Sequence, residues 1–232
     1  MKRLIWALWL IALPAFAQDV RTYIPVQAGP LLPELRAVQV SLWPDAPHPG
    51  FLGAQIERES CIGLKHSKCW NPYSQLKTKR EWGYGLGQTT IAYRPDGSVR
   101  FNTQAELRRQ YASLRGWSDD RKFDVHYQMT ALVEMDHGIY RRVSDAFDDG
   151  ERLAFTLSAY NGGESGVRQD RVLCSNSNGC DPRKWFGHVE RTSLKSRKPN
   201  PGYGQSAYDI NRGYVRDILF VRSAKYAPYF RD

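Results

Sequence analysis

Apolar residues recur along this chain in steps of three and four, and few stretches alternate apolar with polar. Such steps return a side chain to one side of an α-helix, so the pattern predicts a mainly α fold with few strands. Leu35, Val38 and Leu42 form one stripe, opened by Pro33, whose missing N–H costs little in a first helical turn. The stretch Pro44 to Pro49 ends it, and a second helix is expected from about Phe51 to Ser60. Thr103-Gln104-Ala105-Glu106 reads as a capping box that opens a helix to about Arg115. Val125, Met129, Leu132, Asp136, Ile139 and Val143 mark the core side of a longer helix from about Arg121 to Phe147. The next begins near Glu151 and stops at Gly162-Gly163, and a last one is expected from about Ile210 to Tyr226, with Tyr214, Ile218 and Val221 on one side. Gly83, Gly85 and Gly87 alternate in a way that suits a tight hairpin or loop, and Lys184 to Gly204 reads as a long basic loop.

Two acids interrupt these apolar stripes. Leu52, Ile56 and Glu59 lie four and three residues apart, so Glu59 points where its apolar neighbours point. Glu57 is expected to face elsewhere, which leaves Glu59 as the shielded acid of the pair. A shielded carboxyl holds its proton to higher pH. Asp136 sits within the longest stripe and is expected at the margin of that face or in a buried hydrogen bond.

The first residues set the compartment. Met1-Lys2-Arg3, the apolar run Leu4 to Phe16 and the small-x-small end Ala15-Phe16-Ala17 have the form of a secretory signal peptide cut after Ala17. The run is short for a membrane span and contains Pro14, although an uncleaved anchor stays open as the second reading. Both readings export the rest, and the expected location is periplasmic. Residues 18–49 then form an N-terminal loop and lead helix, and 50–232 the main domain. Without Lys2 and Arg3 the formal charge falls from +9 to +7, which suits a polyanionic partner or surface. No zinc-finger spacing or other nucleic-acid motif is present, so nucleic acid is not expected as the partner.

Four cysteines follow the leader, Cys61, Cys69, Cys174 and Cys180, and an oxidising compartment would join them as disulfides. Of three connectivities, Cys61–Cys69 with Cys174–Cys180 is favoured, since each closes a short loop. A zinc site using His66 lacks a second ligand cluster at close spacing, so neither metal nor cofactor is expected.

Four short strings occur in a fixed order: Glu59-Ser60, Gly83-Tyr84-Gly85-Leu86-Gly87-Gln88, Ala159-Tyr160-Asn161-Gly162-Gly163 and Tyr214-Val215. Together, from about residue 50 to 222, they resemble the SLT-type lytic transglycosylases, relatives of goose-type lysozyme. Ile56-x-x-Glu59-Ser60 resembles that family's catalytic helix, and Gly85-Leu86-Gly87-Gln88 its Gly-Leu-Met-Gln turn, with Gly87 where Met is usual. Ala159-Tyr160-Asn161-x-Gly163 resembles its Ala-Tyr-Asn-x-Gly motif, and Tyr214-Val215 its closing Tyr-Val. The interval from Glu59 to Gly85 is long for the family and holds the Cys61–Cys69 loop.

The resemblance implies a lysozyme-like helical domain with a small hairpin or loop region lining a glycan groove, acting as a monomer on peptidoglycan strands. It implies cleavage of the β-1,4 bond from N-acetylmuramic acid to N-acetylglucosamine with closure of a 1,6-anhydro ring, and Glu59 as the single catalytic acid. Ser60, Gln88, Tyr160, Asn161 and Tyr214 are the expected substrate-binding residues, with Tyr214 against the sugar or hydrogen-bonded to Glu59. Two alternatives stay open. A hydrolysing muramidase needs a second carboxylate to activate water, for which Glu81 is best placed in sequence. A non-catalytic wall-binding or assembly protein, serving an envelope-spanning apparatus or another cell-wall partner, would keep the fold without needing a proton donor.

Overall fold

The computed structural model describes residues 19–199 and 204–231. The expected signal segment lies outside them. The first helix, α1 (Leu32–Leu42), buries Leu35 and Val38 as its stripe requires. Helix α2 (Gly50–Ser60) carries Glu59 in its last turn. A four-stranded antiparallel sheet in simple order follows, built from β1 (Gln75–Lys77), β2 (Glu81–Tyr84), β3 (Thr89–Tyr93) and β4 (Val99–Asn102). Only part of it was visible as a glycine-rich hairpin, because its strands are short and most side chains of β1 and β4 are exposed.

Helix α3 (Thr103–Gln110) is capped by the Asn102 side chain, which accepts from Ala105 N; the cap therefore lies one residue before the expected Thr103. A separate 3-10 turn, Ala112–Leu114, replaces the expected continuation to Arg115. Helix α4 (Val125–Arg142) is opened by Asp124, whose carboxylate accepts from Tyr127 N. Helix α5 (Asp149–Gly162) ends at Gly163, where φ is +82°. Immediately after it comes α6 (Glu164–Ser175), which the sequence reading did not assign. The last segment is one continuous helical rod: α7 (Ala207–Arg216), a π-helical turn over Asp217–Arg222, and α8 (Ser223–Tyr226).

One core joins α1, α2, α4, α5 and the C-terminal rod around Leu35, Phe51, Leu52, Ile56, Met129, Leu132, Phe155, Leu157 and Val215. A satellite cluster of Tyr84, Leu107, Tyr111, Leu114 and Trp117 seats the sheet on α3. The fold is mainly α. Both favoured disulfides are formed, Cys61–Cys69 directly after α2 and Cys174–Cys180 at the end of α6. They fit an exported protein. Among the described residues no helix is long and apolar enough to cross a membrane.

Much of the expected basic loop is anchored. Trp185 and Val189 are buried, and Arg212 reaches from α7 to the carbonyls of Val189, Glu190 and Thr192 and to Asp170. The charged composition of the loop concealed these two apolar anchors.

Candidate functional site

Alternation along a strand decides which residues the sheet shows to the helices. Leu76 pairs with Gly83 and Gly83 with Thr90, so these three share a face, and Glu81 shares it one step along β2. Trp82 and Tyr84 point the other way, into the satellite cluster. The first face forms one wall of a cavity of about 770 Å³ that also takes in Arg58, Glu59, Gln88, Tyr160, Asn161 and Lys195. A second cavity, of about 630 Å³, shares Glu81, Gly87, Gln88, Thr90, Tyr160 and Asn161 with the first and continues past Phe101 and Tyr111. The two make one groove between sheet and helices, with Gln88 and Tyr160 at their junction.

Glu59 lines this groove from the end of α2. Behind it, Tyr214 on α7 donates its hydroxyl hydrogen to Glu59 Oε1 at 2.6 Å. Burial pushes the Glu59 carboxyl up to about 7, against the lowering effects of the Tyr214 hydrogen bond and the Arg58 charge. Near neutral pH it is therefore divided between acid and carboxylate, which suits a group that must give a proton and take one back. Tyr160 and Tyr214 are themselves held well above the usual tyrosine range, chiefly by burial and then by the Glu59 charge. Both stay neutral donors.

The glycine-rich turn between β2 and β3 has a steric explanation. Tyr160 donates to the Gly87 carbonyl at 2.7 Å, and a Cβ on Gly87 would stand 2.7 Å from that same hydroxyl. The glycine found where Met is usual in the resembled family makes room for Tyr160 at the junction of the groove. Gly85 has φ +78°, and Gln128 closes the turn from α4 by accepting from Leu86 N and donating to the carbonyls of Pro72 and Lys122. Gln88 follows with φ +46° and donates to the Gly85 carbonyl.

The expected site residues divide. Glu59, Gln88, Tyr160 and Asn161 line the groove, and Tyr214 stands behind Glu59 as its hydrogen-bond donor. Ser60 does not join them. It is 3% exposed, donates to the Ile56 carbonyl and accepts from Trp70 N, so it ties α2 to the disulfide loop and is not placed to bind a ligand. Glu57 faces elsewhere than Glu59, as expected, but the expectation that Glu59 alone of the pair is shielded is corrected. Glu57 is fully buried against the C-terminal rod, bonded by Arg222 Nη1 at 2.5 Å, Lys225 Nζ at 2.9 Å and the Tyr226 hydroxyl. Glu81 is exposed on the groove face of β2.

Other supporting residues went unnoticed in the sequence. Asn211 donates to Asn161 Oδ1 at 3.1 Å and to the Ser158 carbonyl, holding the end of α5 from α7. Its place three residues before Tyr214 puts it on the same side of the helix, and that spacing was the available signal. Gln55 was likewise unnoticed; it gives Asp136, expected at a face margin or in a buried hydrogen bond, the second of these, at 3.3 Å and with both residues fully buried. Among the described residues no cluster of His, Cys, Asp and Glu could hold a metal ion. No protein-family model matches the chain, and no curated protein matches it.

Proposed function

We propose that the chain is a peptidoglycan lytic transglycosylase with a lysozyme-like helical domain, cleaving the bond from N-acetylmuramic acid to N-acetylglucosamine. One observation carries the reading: among the carboxyls lining the groove, Glu59 is raised to about 7 by burial and is held by a neutral tyrosine. Glu59 donates its proton to the leaving glycosidic oxygen as the C1–O4 bond breaks, and the sugar's own acetamido group stabilises the positive charge at C1. The Glu59 carboxylate then takes the proton of the 6-hydroxyl while O6 bonds to C1. A 1,6-anhydro ring results, no water is consumed, and Glu59 ends protonated as it began. Tyr214 orients the carboxyl throughout. Asn161, Gln88 and Tyr160 sit where the acetamido group and the flanking sugar would lie, on the groove side of Glu59. The disulfides fit action in the exported compartment where such glycan is found.

The decisive test is mass spectrometry of fragments released from purified peptidoglycan by the protein beside its Glu59→Gln variant. Fragments one water lighter than ordinary muropeptides, absent with the variant, are expected. Hydrolysis is the second reading, because Glu81 lies on the same groove wall and could hold a water. Reducing-end products lost in Glu81→Gln would select it. No release from a folded protein would leave a wall-binding role.

A further inference from the structure

Among the described residues, three buried acids face cations: Glu57 faces Arg222 and Lys225, Asp170 faces Arg212 at 2.7 Å, and Glu190 faces Arg216 at 2.8 Å. Asp136, fully buried on α4, faces none. Its Oδ1 accepts from Gln55 Nε2 at 3.3 Å, while Asp136 Oδ2 and Gln55 Oε1 are both buried without a partner. Two buried acceptors without a donor are costly when they belong to an ionised acid and its neighbouring amide. A proton on Asp136 supplies the missing donor. A neutral carboxylic acid can turn one donor and one acceptor toward the acceptor and one N–H of a primary amide, and the two edges are complementary.

The ionisable groups that act on Asp136 from the surrounding elements are all acidic: Glu59 on α2, Tyr160 on α5 and Tyr214 on α7. Arg58 is the cation that acts on Glu59 itself. Gln55 lies one helical turn before Glu59 on α2, so the Gln55–Asp136 pair packs beneath the reactive carboxyl.

We propose that Asp136 is a positioning residue kept in its neutral acid form by its full burial away from any cation and paired with Gln55, so that the pocket carries a single negative charge when Glu59 gives up its proton. An ionised Asp136 would place a second negative charge in the same shielded space and oppose the ionisation that proton donation requires. Burial, aided by the Glu59 charge and only partly opposed by the Gln55 hydrogen bond, pushes the Asp136 carboxyl well above the usual range, in the same direction. The functional half of this inference rests on the proposed role of Glu59; the protonation state of Asp136 does not.

Carboxyl carbon NMR of aspartate-labelled protein, assigned by comparison with Asp136→Asn, tests the state directly. The Asp136 signal is expected to stay at its protonated position from pH 5 to pH 8. Asparagine reproduces the neutral acid's hydrogen bonds and does not titrate. Because the folded pKa lies above the unfolded one, the wild type loses stability as pH rises, so Asp136→Asn should match its Tm near pH 4 and exceed it by about 5 °C at pH 8. An Asp136 signal that titrates below pH 6, or an Asn variant that is less stable or unfolded at pH 7, overturns the proposal. For positioning, Asp136→Ala is expected to lower the cleavage rate about tenfold and Asp136→Asn to restore most of it, with the alkaline limb of the pH profile unmoved. A limb displaced to lower pH in Asp136→Asn shows that wild-type Asp136 was ionised, and overturns it. Failure of the Glu59 reading looks different: wild type releases no fragments, while the NMR and Tm results stand.

Discussion

Two glutamates stand two residues apart at the end of α2 and are treated in opposite ways. Glu57 is sealed in the core and wrapped by Arg222, Lys225 and Tyr226, and Asp217 continues the network through Arg222 to within 3.3 Å of Arg58. Glu59 opens on the groove with one tyrosine hydroxyl and the charge of Arg58 to set against its desolvation. The difference teaches that burial alone does not make a catalytic acid. Burial among cations ties a carboxylate into a structural ion network, whereas burial beside a neutral donor leaves the Glu59 carboxyl near its midpoint at neutral pH.

Exchanging the charge of each acid separates the two roles. Glu59→Gln is expected to cut glycan release by roughly 10³-fold, as loss of a general acid does, with the fold intact. The same variant should be more stable than wild type at pH 8. The folded pKa is raised from 4.5 to about 7, so the stabilising contribution of protonated Glu59 is complete below about pH 4 and is lost as pH rises through 7. Thermal melts of both proteins at pH 4 and pH 8 measure the gain, of order 2–3 kcal/mol at the higher pH. A flat difference would mean that Glu59 is an ordinary surface acid.

Glu57→Gln should do the reverse. It leaves Arg222 and Lys225 short of a buried counter-charge, and a loss of about 3–5 kcal/mol is expected, read as a Tm lower by about 10 °C. The rate per folded molecule should change little. Equal damage to rate and stability would dissolve the distinction between the two acids.

Tyr214→Phe sharpens the comparison further. The hydroxyl lowers the Glu59 pKa, so its removal should move the alkaline limb of the cleavage profile to higher pH and cost about tenfold in rate, a barrier change of about 1.4 kcal/mol. Ser60→Ala is the mildest test. It deprives Trp70 N of an acceptor and should cost about 1 kcal/mol in a chemical melt, with cleavage unchanged because the hydroxyl does not face the groove.

The stripe Met129, Leu132, Asp136, Ile139 foretold the core side of α4, and Gly162-Gly163 foretold the end of α5, since both signals are local. Cysteine spacing similarly pointed to both disulfides. Helix α6 was missed: Val167 and Cys174 are its buried apolar residues, Asp170 is buried between them, and the stripe is too thin to stand out. The place of Ser60 beside Glu59 in sequence says nothing about the hydroxyl's direction, which Ile56 O and Trp70 N decide.

By itself the sequence determined the helical periodicities, the paired cysteines and the acid that shares an apolar face with Leu52 and Ile56. Helical spacing determines which side of a helix a residue occupies, and that much is local. What reaches each side is long-range. Arg222 meets Glu57 across 165 residues, Tyr214 meets Glu59 across 155, and Tyr160 meets Gly87 across 73. These meetings, which make one glutamate a counter-ion and its neighbour the proposed proton donor, exist only once α2, α5 and the C-terminal rod are packed together, because the dielectric and the partners around a charge belong to the assembled core.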